Sequence, residues 1–210
     1  MKRVPIRALL PLLASSLVIL PGCASRGIEE PGFDLVEQVD DFEIRDYAPR
    51  LVAETRVGGD RKEAGNAGFR ILADYIFGNN TPREEIAMTA PVSQSPASEE
   101  IAMTAPVAQT PAGDEWIVQF SMPDTYTMET VPEPVNDAVT LRTLPGERMA
   151  VLGFSGYARD KRVQDKRAEL ASDVESRGLE ALGPITLAQY DPPWTLWFLR
   201  RNEVMVPIAR

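Results

Sequence analysis

A strand–turn–strand–helix pattern occurs twice in this chain, 97 residues apart, and that recurrence limits the fold more than any other feature. In the first copy Phe42-Glu43-Ile44-Arg45-Asp46-Tyr47 alternates like a strand, Ala48-Pro49 turns, and Leu51–Val57 alternates again. Asp60 then caps a helix, with Glu63 as its capping-box partner. Ala64, Ala67, Phe69, Ile71, Leu72, Tyr75 and Ile76 form its apolar face up to Gly78-Asn79. In the second copy Thr140-Leu141-Arg142 falls under Glu43-Ile44-Arg45, and Pro145-Gly146 under Ala48-Pro49. Ala150, Phe154 and Gly156 match Ala53, Val57 and Gly59, and a helix follows from Asp160 to Arg177 with Val163, Leu170 and Val174 on one face. Further strands are expected at Trp116–Met122, Ile185–Tyr190 and Phe198–Ile208. Two such halves predict an α+β fold: a distorted antiparallel β-barrel with two flanking helices and an internal pseudo-two-fold duplication of a strand-strand-helix-strand unit.

A second, closer repetition lies between them. Residues 84–94, EEIAMTAPVSQ, return as residues 99–109, EEIAMTAPVAQ, differing only at Ser93 against Ala108. Each copy reads as a short strand, with Ile86, Met88, Ala90 and Val92 on one face, and Ile101, Met103, Ala105 and Val107 likewise. Pro91 and Pro106 cannot donate to a ladder, so both strands are expected to be edge-like or bulged there. A core hairpin and a Met-lined pocket wall both fit this pattern.

The first 22 residues read as a targeting segment. Lys2, Arg3 and Arg7 precede an apolar run from Ala8 to Leu20, then Pro21-Gly22-Cys23. This resembles a bacterial lipoprotein signal, which implies lipidation of Cys23 and no protein span. Pro21 departs from that pattern, standing where a small residue is usual. Residues 23–36 read as a tether and 37–210 as a single domain. No aspartate follows Cys23, so attachment to the outer membrane, facing the periplasm, is expected.

Composition removes whole classes of chemistry. The net charge of −9 becomes more negative once the three leader cations are gone, which argues against nucleic-acid partners. The chain has no histidine, and its one cysteine is Cys23. Ser-His and Cys-His pairs, His-rich zinc sites and histidine-ligated haem are therefore ruled out, and no acid/base pair or phosphate loop is recognisable. A binding protein is expected rather than an enzyme.

The C-terminal residues carry a family resemblance. Tyr190-Asp191-Pro192-Pro193-Trp194-Thr195 and Arg200-Arg201-Asn202-Glu203-Val204, with the IAMTAPV stretches and Ala48-Pro49-Arg50, resemble the SOUL haem-binding family across about residues 37–210. The resemblance implies the same duplicated barrel and tetrapyrrole binding in a hydrophobic cleft beside the first helix. Phe69, Arg70, Leu72, Ala73, Tyr75, Ile76 and Trp194 are the residues this reading selects. Trp197 and Phe198, with Arg200 and Arg201 beyond them, offer a second aromatic cluster or a core plug. Without histidine, an iron ligand would be Met, Tyr or absent, so haem binding is expected to rest on hydrophobic contact. The alternative is a ligand-sensing or interaction domain for another apolar small molecule or a partner peptide.

Overall fold

The computed structural model describes residues 28–83 and 98–210; the leader, Cys23 and the first IAMTAPV copy lie outside them. The strands are β1 (Phe33–Val39), β2 (Phe42–Tyr47), β3 (Arg50–Gly58), β4 (Asn80–Thr81), β5 (Val107–Ala112), β6 (Glu115–Ser121), β7 (Glu133–Pro134), β8 (Thr140–Leu144), β9 (Glu147–Ser155), β10 (Thr186–Gln189) and β11 (Arg201–Ile208). The helices are α1 (Arg61–Ile76) and α2 (Asp160–Ser176), and Trp197–Leu199 form one 3-10 turn. Nine strands make one antiparallel sheet in the order β1-β2-β9-β11-β10-β5-β6-β3-β8, curled into a half-barrel, and β4 pairs only with β7.

The duplication is visible in that order. Reading outward from the β10–β5 pair, β11, β9 and β2 on one side answer β6, β3 and β8 on the other, with β1 added at one end. Equivalent residues also touch, which is possible only close to a two-fold axis. Arg50 donates to Glu147 at 2.9 Å and Arg61 to the Ala158 carbonyl at 2.8 Å, each pair separated by 97 positions.

Two residues join β2 to β3, yet these strands do not pair with each other. β2 pairs with β9 and β3 with β8, and the register never slips across the break. Phe42 faces Leu152, Tyr47 faces Glu147, Arg50 faces Leu144 and Glu54 faces Thr140. Residues 42–54 and 140–152 therefore form one long bent ribbon. Pro49 and Pro145 supply no N–H at its middle, so the ladder opens and both chains bend there. Gly146 is required at this crossing, because a Cβ would stand 3.0 Å from the Tyr47 carbonyl oxygen.

Both helices pack on one face of the sheet. Asp60 Oδ1 accepts from Glu63 N at 2.8 Å, the predicted cap, stabilising the start of α1 by about 1 kcal/mol. Leu72, Tyr75 and Ile76 of α1 bury against Ala53, Val118 and Phe120. Val163, Leu170 and Val174 of α2 bury against Ile44, Ala150, Leu152 and Val204, as the spacing predicts. Tyr47, Met149, Val151, Ala188, Tyr190 and Met205 make a third core on the opposite, concave face.

Three expectations change. The second IAMTAPV copy is a strand only from Val107. Ile101 enters the α1 core, Ala105 enters the concave core and Met103 is exposed, so the supposed stripe crosses between the two faces. The reason lies in its hydrogen bonds: Ile101 N is taken by the Ile76 carbonyl and Thr104 Oγ1 by the Ser121 carbonyl. Residues 33–36, read as the end of a tether, open the edge strand β1. Residues 198–200, expected to begin the last strand, belong to the 3-10 turn and its exit, so β11 begins at Arg201.

Gly68 sets how closely α1 approaches β6, since a Cβ there would lie 2.5 Å from a Val118 methyl. Gly68→Val is expected to destabilise the fold by about 1–3 kcal/mol through overpacking, read as a lower denaturation midpoint in urea.

Candidate functional site

The residues first selected on α1 do not line a cleft. Leu72, Tyr75 and Ile76 are at most 2 % exposed and Ala73 9 %, all on the helix underside. Tyr75 donates its hydroxyl to the Pro132 carbonyl at 2.8 Å, so its phenol is engaged inside the core. Phe69 stands at the helix edge, 37 % exposed, with its ring edge-on to Phe120 at 5.5 Å, and Arg70 faces solvent. Trp194 sits on the loop that packs against the end of β9 instead. The structure therefore does not bring the seven residues into one site; the 3.6-residue period that marked them as a face marked the buried one.

A recess does form on the concave face. It holds about 50 Å³ and is lined by Phe33, Tyr47, Arg50, Leu144, Tyr190 and Met205 among others. That is room for a few waters, far below the roughly 300–1,000 Å³ of a typical ligand cleft. Beside it runs a buried polar network. Arg45 donates through both terminal nitrogens to Glu203 at 3.0 Å, through Nε to Glu43 at 2.6 Å, and to Tyr47 Oη at 3.2 Å. Tyr190 donates to Glu203 at 2.5 Å. Burial works against the Arg45 charge, but its hydrogen bonds to Glu203 and the negative charge of that carboxylate outweigh this and raise its pKa. The network satisfies its own charges and ties β2 to β11.

A cluster of exposed apolar side chains lies elsewhere. Trp194 is 83 % exposed, and Leu196, Trp197, Phe198 and Leu199 are each more than half exposed. Trp197 stacks on Tyr157, the rings 6.5 Å apart and 20° from parallel, and meets Phe198 edge-on at 5.6 Å. The platform is held from below. Arg200 donates to the carbonyls of Thr195 (2.9 Å) and Pro193 and places its guanidinium 4.9 Å from the Tyr157 ring centre. Buried Asn202 donates to the Gly156 carbonyl at 2.9 Å, and Gly156 N donates to the Arg200 carbonyl. Gly156 takes φ +97°, and a Cβ there would meet Arg162 and Trp197.

Cations border the platform. Arg159 holds the N-cap position of α2 without capping it, and lies 5.5 Å from the Tyr157 ring centre. Arg162 lies 5.7 Å from the Phe154 ring centre. Neither guanidinium makes a hydrogen bond or ion pair among the described residues. Arg201, by contrast, is paired with Glu30. A flat aromatic ligand carrying carboxylates would find apolar area and two free guanidiniums here. Sequence reasoning named Trp194, Trp197, Phe198 and Arg200 but missed Tyr157, Arg159 and Arg162. The available signal was the unbroken apolar run Leu196–Leu199, which no alternating strand can bury on one face.

The sequence profile of the SOUL heme-binding protein family matches residues 28–207. Human Heme-binding protein 2 is 26 % identical over 195 residues, spanning 86 % of this chain and 90 % of that protein. Among solved structures, the C-terminal domain of EcmrR has a TM-score of 0.55 at 10 % identity, covering 80 % of this chain and 97 % of that one. A hydrolase from Listeria innocua has a TM-score of 0.50 at 12 % identity, covering 80 % and 92 %. These two likenesses establish the fold alone.

Burial raises the pKa of Tyr47, Tyr75 and Tyr190, and for Tyr190 the Glu203 charge adds to it. A raised folded-state pKa leaves stability intact below the unfolded value of about 10 and removes it progressively above. The thermal midpoint should fall steeply from pH 9 to 11, with these tyrosines ionising only as far-UV circular dichroism is lost; an unchanged midpoint would contradict this.

Proposed function

Because this chain belongs to the SOUL heme-binding family, we propose that it binds haem or a related tetrapyrrole on the platform of Trp194, Trp197, Phe198 and Tyr157. The observation that carries this reading is the conjunction of exposed aromatic area with unpaired Arg159 and Arg162 on a chain of net charge −9. An acidic protein does not attract a dianionic ligand by its overall field, so local cations must do so. The residues fit the group. Aromatic and leucine side chains match a macrocycle's face, the two guanidiniums match its propionates, and Tyr157 supplies an exposed oxygen. Bound tetrapyrrole would supply its own redox and ligand-exchange chemistry; the chain's part is to orient it and shield one face. Arg200 keeps the loop in shape rather than meeting the ligand, since its nitrogens are already engaged.

We read the protein as a binder rather than a catalyst, anchored through Cys23 after loss of residues 1–22 and displayed on the outer membrane toward the periplasm. The Leu20-Pro21-Gly22-Cys23 junction and the basic, apolar leader support that placement. A second reading takes the concave recess as the site for a small apolar molecule. Phe33, Tyr47, Tyr190 and Met205 favour it, and the exposed edge strand β1 would have to move to enlarge the space.

Titrating haemin or protoporphyrin IX into residues 24–210 should quench tryptophan fluorescence and shift the Soret band. The double variant Arg159→Glu, Arg162→Glu should weaken binding about tenfold or more and abolish its salt dependence. Unchanged spectra in the parent protein would sink the reading, and undiminished affinity in the double variant would relocate the site. For the anchor, Cys23→Ala should move the protein from the membrane to the soluble periplasmic fraction, and mass spectrometry of the parent N-terminal peptide should find acylated Cys23. An unmodified residue 23 would refute it.

A further inference from the structure

We infer that Tyr157 is the protein's ligand for ferric iron when a haem occupies the platform, an assignment that rests on the tetrapyrrole reading above. The chain offers no histidine, so the oxygen of a tyrosine or the sulfur of a methionine is the side-chain donor that haem iron would accept. There are five tyrosines. Tyr75 donates to Pro132, Tyr126 to Glu99 at 2.6 Å and Tyr190 to Glu203, while Tyr47 is 8 % exposed and accepts from Arg45. Tyr157 is 44 % exposed and its hydroxyl makes no hydrogen bond among the described residues. Of the described methionines, Met122, Met149 and Met205 are at most 8 % exposed, Met128 is half-buried, and exposed Met103 stands beside Thr104, which is fixed to Ser121, away from the platform.

Position supports the elimination. Tyr157 leaves β9 one residue after Gly156, whose φ of +97° turns the chain out of the sheet, so its ring emerges at the platform rather than in the core. Trp197 stacks parallel to the ring, and the Arg200 and Arg159 guanidiniums lie within 5.5 Å of its centre. These neighbours fix the ring plane and leave the hydroxyl without a hydrogen-bond partner among the described residues. Tyr157 would hold a ferric haem through its oxygen lone pair, its phenol proton released to solvent, with no electron transferred.

Two pigments and one conservative variant separate this assignment from the reading beneath it. Tyr157→Phe keeps the ring against Trp197 and removes only the oxygen. With haemin, the parent protein should give the resonance Raman iron–phenolate mode and a high-spin ferric electron paramagnetic resonance signal, and Tyr157→Phe should lose the phenolate mode and bind haemin about tenfold less tightly. With metal-free protoporphyrin IX, both proteins should bind within about twofold of each other. A haemin spectrum and affinity unchanged by Tyr157→Phe would overturn the ligand assignment and leave the platform standing. Equal losses for both pigments would show a packing role and also overturn it. If the parent protein binds neither pigment, the tetrapyrrole reading itself fails.

Discussion

The bent ribbon of residues 42–54 against 140–152 is the constraint on which the rest of the structure depends. Its pairs run in one unbroken register through a midpoint where Pro49 and Pro145 cannot donate and where a Cβ on Gly146 would stand 3.0 Å from the Tyr47 carbonyl oxygen. The bend sends β2 and β9 into one half and β3 and β8 into the other, so the sheet must curl to keep both halves paired. Because the ribbon's midpoint lies on the pseudo-two-fold axis, each half receives one helix on the same face, and Arg50–Glu147 and Arg61–Ala158 close the contacts along that axis.

That geometry also explains why the aromatic platform is left outside. The helix face of the sheet is filled by α1 and α2, and the concave face by its own core around the Arg45–Glu203–Tyr190 network. A buried ion pair of this kind adds little net stability, but losing one partner would strand a charge at a cost of several kcal/mol, so it holds β2 and β11 in place. The chain then leaves β10 through Asp191-Pro192-Pro193 and returns at Arg201. The five large apolar side chains in between enter none of the three cores. They are propped on Tyr157 and Arg200 at the outer end of β9, where an apolar surface gains free energy only by covering itself with something from solution.

Much of the architecture was legible because period and capping are local. The Asp60 cap, the apolar face of α2 and the strands at 42–47 and 116–121 are each set by residues within one turn or one strand of each other. The candidate site was less legible because orientation is not local. Leu72, Tyr75 and Ile76 looked like a binding face, yet an amphipathic helix with one apolar stripe spends that stripe on its own sheet, and α1 has no second one. The IAMTAPV segment reads as an alternating strand until Thr104 finds Ser121 and Ile101 finds the end of α1, contacts at long sequence separation. Tyr157 carries no motif; it matters because four other tyrosines are engaged, buried or both, which only the folded chain reveals.

In the proposed function, a fixed frame presents an aromatic, arginine-bordered surface to a planar, carboxylate-bearing guest. The most direct test is amide chemical-shift mapping of the isotopically labelled domain with metal-free protoporphyrin IX. The account predicts perturbations concentrated in residues 154–162 and 193–201, with the sheet interior unmoved. Shifts clustered instead along α1, or around Tyr47, Tyr190 and Met205 in the concave recess, or no shifts at all, would contradict it.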